Sequence, residues 1–187
     1  MSDQGKLSDY EGLIRSWAGR VDLVSPGDLD RLHERHIADS LRALELVFGA
    51  PEGPCIDVGS GAGLPGVPLA IASGRHWRLL EPRTKRAAFL DEVVRTLELD
   101  CEVVRLTAEE AARDPRLGRV HAVATARAVA PPVTAFELLA PLVAPGGRSV
   151  VFHGADAELP VGAERSAPSL ATIVAATHPS LPREEQD

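Results

Sequence analysis

The chain has 187 residues, 44% hydrophobic and 25% charged, which suits one globular domain with a real core and only a small appendage. Twenty Lys and Arg stand against 27 Asp and Glu, and the net charge of -7 excludes a dedicated non-specific nucleic-acid binder, a class that is usually basic. Cys55 and Cys101 are too few for a disulfide framework, and neither a leader nor an apolar run of membrane-span length is visible, so a cytoplasmic chain with no membrane contact is expected.

Residues 1–50 read as an N-terminal helical segment, and residues 51–187 as the main unit. Leu13, Ile14, Trp17 and Val21 recur at helical spacing. The stretch 25–49 predicts one longer helix, capped by Ser25 or Asp28 and stopped by Gly49. From Cys55 the pattern changes to short apolar runs alternating with amphipathic segments. CIDV (55–58) predicts a first strand, and GVPLAIAS (66–73) opens a helix. HWRLLE (76–81) predicts a second strand, and KRAAFLDEVVRTLEL (85–99) has helical periodicity. CEVVRL (101–106) and VHAVATA (120–126) predict strands three and four. VTAFELLAPLVA (133–144) predicts a helix closed by Pro145 and Gly146, and RSVVFH (148–153) a fifth strand. LATIVAAT (170–177) predicts one more strand, and the proline-bearing acidic tail 178–187 is expected to fray. This β-α alternation predicts an α/β, doubly wound, mostly parallel sheet with a shortened C-terminal end. Such sheets bind ligands beyond the carboxyl ends of their strands.

The most informative stretch is IDVGSGAGLPG (56–66). Gly59, Gly61 and Gly63 alternate directly after the first strand, where glycine allows positive φ and close backbone approach to a ligand. A Walker-type phosphate loop requires Gly-Lys-Ser/Thr at its end, and none follows. A dinucleotide fingerprint fits Gly61, Gly63 and Gly66, but with Pro65 inside the turn; in the frame starting at Gly59, Leu64 replaces the third glycine. S-adenosylmethionine requires no phosphate cradle. It requires backbone approach to an amino-acid moiety and a carboxylate for ribose hydroxyls, and Glu81 closes the second strand 22 residues after Gly59. The turn favours the methyl donor, while Glu81 alone leaves NAD open. Pro65 and Pro68 suit the first turn of the following helix, whose amides lack intrahelical partners.

WAGRVDLVS, RHIADSL, IDVGSGAGLPGVPLAI, LLEPRTKRAAFL, TAEE and ARAVAPP occur in that order. Together they resemble the bacterial small-subunit ribosomal RNA guanine-N7 methyltransferases, also called glucose-inhibited division protein B, over roughly residues 10–155. The resemblance implies a class I (Rossmann-like) methyltransferase fold with S-adenosyl-L-methionine as cofactor and ribosomal RNA in the small subunit as partner. It implies that Gly59, Gly61 and Leu64 line the donor pocket, that Glu81 holds the ribose, and that Ala108 and Glu109 flank the adenine. Arg127 would face the donor or the target base. The family pattern has Trp-Asn where this chain has Trp17-Ala18, and Asn-Leu-Thr where it has Asp22-Leu23-Val24. It has Arg-Ala-Glu at Thr107-Ala108-Glu109, Ser-Arg-Ala at Ala126-Arg127-Ala128, and Lys-Gly at His153-Gly154. Several of these departures fall on polar or basic positions expected to face the acceptor, so the resemblance speaks more strongly for the donor than for the acceptor.

Arg127 and His153 follow the fourth and fifth strands at the ligand-binding end and are the candidate catalytic groups; plain surface roles are the alternative. His33 and His36 are spaced to share a metal, but no third ligand is evident, so no metal is expected. His36, Asp39 and Arg35 read as a polar helix face or an acceptor-side wall. Lys85 and Arg86 read as solvated, and Trp17 and Phe152 as aromatics available to stack on a base. A small-molecule acceptor is the alternative to RNA, and a catalytically silent donor-binding protein is a second alternative.

Overall fold

The computed structural model describes residues 2–154 and 156–176. The tail 178–187 and Thr177 therefore lie outside the described residues. A seven-stranded sheet forms the centre, in the order β3-β2-β1-β4-β5-β7-β6. Its strands are β1 Cys55–Val58, β2 Trp77–Leu80, β3 Cys101–Val104, β4 His121–Arg127, β5 Val143–Phe152, β6 Glu164–Ala167 and β7 Leu170–Val174. The pairings from β3 through β5 are parallel, and β7 runs antiparallel between β5 and β6. Past β5 the described residues supply a two-stranded hairpin. Sequence pattern reveals only the LATIV strand of it, because β6 (ERSA) carries no apolar alternation.

Side-chain alternation along each strand builds two apolar faces. Ile56, Val58, Leu80, Ala124 and Ala126 face α6 (Ala108–Arg113) and α7 (Pro132–Leu139), joining Ala111, Phe136 and Leu139 in one cluster. Leu79 faces the other way, into a cluster with Leu7, Tyr10 and Ile14 of α1 (Asp3–Trp17), Val67 of α4 (Gly66–Ser73), and Phe89 and Leu90 of α5 (Thr84–Thr96). Trp17 packs edge-on against Phe89, with centroids 5.7 Å apart, so it belongs to this core and is not free to stack on a base. Two short helices, α2 (Ala38–Leu41) and α3 (Leu44–Phe48), pack on α4. The N-terminal segment is thereby built onto the sheet domain. No helix among the described residues is long and apolar enough to cross a membrane.

Three elements depart from the sequence reading. The long helix over 25–49 is broken into a 3₁₀ segment (Pro26–Arg31), a π-turn (His33–Ile37), α2 and α3. The Ser25 hydroxyl donates to Asp28 (2.6 Å) and caps no backbone amide. The wide π-turn brings Leu32 and Ile37, five residues apart, into the same core, which uniform α-helix would not do. The helix expected over 133–144 stops at Leu139, and Pro145, Gly146 and Gly147 lie inside β5. A register shift between His121 and Val123 absorbs them, and a side chain at Gly147 would strike the His121 and Ala122 carbonyls. Helix α6, capped by a reciprocal Thr107–Glu110 box, is too short for periodicity to reveal.

Candidate active site

Strand register places the expected residues on one rim. Val58 pairs with Leu80 and with Ala126, so Gly59, Glu81 and Arg127 follow at one level. Arg127 pairs with Phe152, which puts His153 one step beyond. This rim lies at the carboxyl ends, and the strand order reverses between β1 and β4, where open α/β sheets hold ligands.

The glycine turn is left-handed at Gly59 (φ 69°), Gly61 (φ 57°) and Gly63 (φ 88°). Gly59 is also sterically required, since a Cβ there would collide with Cγ1 of Val129. A Cβ on Gly61 would instead make only ordinary contacts, 3.7 Å from the Gly59 carbonyl oxygen and 3.9 Å from the Arg86 guanidinium. Three anchors hold the turn. The Tyr10 hydroxyl donates to the Ala62 carbonyl (2.5 Å). The Glu81 carboxylate accepts from the Gly61 amide (2.9 Å) and the Arg83 amide (2.8 Å). The buried Asp57 carboxylate accepts from the Gly66 amide (3.2 Å) and the Thr125 hydroxyl (2.7 Å). Burial raises the Asp57 pKa to about 6, against the opposing pull of those hydrogen bonds. Pro65 precedes α4 as its cap residue, and Pro68 occupies the first turn.

Two cavities open along the rim. The first, about 270 Å³, is lined by the turn itself (Gly59 to Ala62 and Leu64) with Leu23, Arg86, Arg127 and Ala128. The Arg86 Nε donates to the Asp22 carbonyl (3.0 Å), and the guanidinium lies beside the Asp22 carboxylate (3.6 Å). The second, about 310 Å³, is lined by Asp39, Arg127, Ala128, Ala130, Pro132, Phe152, His153, Gly154 and Ser169. Arg127 and Ala128 line both. Ala128 holds φ 57°, a left-handed conformation that costs an alanine about 1–2 kcal/mol.

Charge at this junction is balanced at a distance. The largely buried Arg127 guanidinium stands 3.8 Å from the Asp39 carboxylate, and burial lowers its pKa. Tyr10 is driven the opposite way by burial, with its hydroxyl pKa well above the ordinary value. Arg42 donates to Asp39 Oδ1 (3.0 Å) and to the Ser169 hydroxyl (2.8 Å), joining α2 to the β6–β7 turn. His153 Nδ1 lies 2.6 Å from the Gly154 carbonyl, and its buried Nε2 finds no partner among the described residues. With Nδ1 donating, Nε2 of the neutral ring offers a lone pair. His36 is partly buried behind this wall; desolvation and then Arg127 lower its pKa, against the attraction of Asp28.

The structure thus brings Gly59, Gly61, Leu64 and Arg127 into one cavity, and Arg127 and His153 into its neighbour. Glu81 lies against the turn rather than in the cavity wall. Ala108 and Glu109 line a separate cavity of about 240 Å³ between α6 and α7. Arg86, expected to be solvated, instead reaches the turn, because the first turn of α5 points back to the β1 rim. Leu23 and Ala128 fall within the quoted motifs without being singled out as site residues, and Ser169 has no sequence signal of its own.

The GidB family, described as rRNA small subunit methyltransferase G, matches residues 3–187 of the chain. Among curated relatives, the ribosomal RNA small subunit methyltransferase G of Granulibacter bethesdensis is 40% identical over 153 residues, covering 82% of this chain and 69% of that protein. Its namesake from Gluconobacter oxydans is 37% identical over 154 residues, covering 82% and 76%. A solved hypothetical protein of Thermus thermophilus aligns with a TM-score of 0.54 and 28% identity, covering 74% of this chain and 80% of that one. A geranyl diphosphate methyltransferase solved with GPP and sinefungin aligns with a TM-score of 0.55 at 20% identity, covering 69% and 51%, a likeness of fold.

Proposed function

The chain belongs to the GidB family of rRNA small subunit methyltransferases G, and from that membership we propose that it methylates N7 of a guanine in small-subunit ribosomal RNA. Its methyl donor is S-adenosylmethionine. The observation that carries the reading is the pair of adjoining cavities that share Arg127 and Ala128. The turn cavity takes the donor, and the outer cavity takes the base.

The residues fit the donor. The bare turn at Gly59 and Gly61 lets backbone approach an amino-acid moiety, and the cavity that Gly61 lines is bordered by the Arg86 guanidinium, a group suited to a carboxylate. Leu64 supplies apolar wall. Glu81, buried against the turn, keeps lone pairs beyond its two amide contacts, and we assign these to the ribose hydroxyls. The adenine is assigned to Ala108 and Glu109, past the end of β3, by the family resemblance alone, since both residues line a cavity separate from that of the turn.

When bound, the donor supplies a sulfonium methyl that leaves with its bonding pair staying on sulfur. Guanine N7 brings its own lone pair, so no base is required to remove a proton. The chain's work is orientation and exclusion of water. Arg127 borders both ligands and sets their approach. Phe152 offers an apolar wall to a base splayed out of the RNA.

The test is methyl transfer to small ribosomal subunits from a strain lacking the modification. One methyl per subunit at a guanine N7, read by base-specific strand cleavage, is the expected result. Silence on these subunits together with turnover of a small acceptor would overturn the reading.

A further inference from the structure

The outer cavity holds a carboxylate that the donor reading does not use. We propose that Asp39 reads the acceptor guanine by accepting from its N1–H and N2–H₂ edge, and stabilises the positive charge that the purine gains. This rests on the assignment of the outer cavity to guanine.

Four observations support it. Asp39 lines the outer cavity and is absent from the wall of the turn cavity. Its Oδ1 is held by Arg42, which is itself tied to Ser169, so the carboxylate is oriented from behind. Its Oδ2 stands 3.8 Å from Arg127, too far for a hydrogen bond, and accepts from no group among the described residues. The same cavity offers the donor Arg127 for O6. Among the four bases, guanine alone presents two adjacent donors on its Watson–Crick edge, the pattern a carboxylate accepts.

Charge movement gives the carboxylate a second task. As the reaction proceeds, the sulfur–carbon bond breaks, the N7–carbon bond forms, and no proton moves. One unit of positive charge passes from sulfur to the purine, and so from the turn cavity to the outer one. Arg127 borders both cavities and changes its repulsion little. Asp39 borders only the outer one, so its attraction grows along the reaction and is strongest after the ground state. An interaction of that kind raises kcat rather than lowering KM.

The experiment compares wild type with Asp39→Asn on unmodified small subunits, and on subunits reconstituted with inosine, which lacks the N2 amine, at the target position. Expected are a fall of about a hundredfold in kcat for Asp39→Asn on guanosine and a wild-type preference for guanosine over inosine of about tenfold. The variant should lose that preference, while its affinity for S-adenosylhomocysteine, measured by calorimetry, stays within about twofold of wild type. If Asp39→Asn does not fold, Asp39→Glu replaces it and should keep the preference for guanosine. Equal losses on guanosine and inosine would mean that Asp39 does not read the N2 amine, and would overturn the inference while leaving the functional reading intact. Inactivity of the wild-type chain on guanosine subunits would overturn both.

Discussion

Asp57 is a carboxylate sealed beneath the glycine turn, and replacing it with asparagine isolates its titration. Its pKa stands at about 6 in the folded chain against 3.8 for the ordinary group. A folded-state pKa above the unfolded one means that the native state holds the proton more firmly. The stabilisation is complete below the unfolded value and is lost as pH rises through about 6. The gap of about two units corresponds to about 3 kcal/mol at 1.36 kcal/mol per unit. Protonated Asp57 can donate to the Thr125 oxygen while that hydroxyl turns to the Ile56 carbonyl 3.5 Å away, so both charge states find partners. The asparagine side chain does not titrate and keeps an oxygen for the Gly66 amide. In urea denaturation between about pH 4 and pH 7.5, the stability of Asp57→Asn relative to wild type should therefore climb by about 3 kcal/mol and then level off. At this chain length that is a relative Tm gain of about 6–12 °C. A pH-independent difference, or a relative gain toward acid, would refute the assignment of a desolvated carboxylate.

Gly59→Ala should destabilise the chain by about 2–4 kcal/mol, from the left-handed backbone and the collision with Val129 together. In the double variant with Val129→Ala, thermal melts should show only the backbone part. Tyr10→Phe leaves the Ala62 carbonyl without its buried donor and should cost about 1–3 kcal/mol. A melt that moves by less than about 2 °C would show that water replaces the hydroxyl. Glu81→Ala should weaken S-adenosylmethionine binding by at least about tenfold in calorimetry, since it removes both the ribose acceptor and the tether of the Gly61 amide. Unchanged affinity would mean that the ribose lies elsewhere.

Much of the rim was legible because β-α alternation punctuates itself. Gly59, Glu81 and Arg127 each close an apolar run, and parallel register then places them level without further information. Long-range neighbours were not legible. Arg86 looks solvated in a helical wheel, yet it lies at the turn because α5 packs antiparallel to its own strand direction and returns its first turn to the rim. Arg42 and Ser169 are separated by 127 positions in sequence, and only the folded chain brings them into one hydrogen bond beside Asp39. The role of Asp57 was not legible in CIDV, because its partners Gly66 and Thr125 lie 9 and 68 positions away and meet it only in the folded chain. The division of the helix over 25–49 was equally hidden, since it answers to which side chains the core accepts rather than to local propensity.

The bridge from Arg42 to Ser169 also has a temporal consequence. Every residue lining the turn cavity has been synthesised by Ala128, whereas the outer cavity must wait for Ser169 in the last hairpin. A nascent chain therefore carries the complete lining of one chamber well before it can close the other. Helix α2, made early, waits for a strand turn made late, so assembly of this wall is the step that ties the opening helices and the closing hairpin into one working surface.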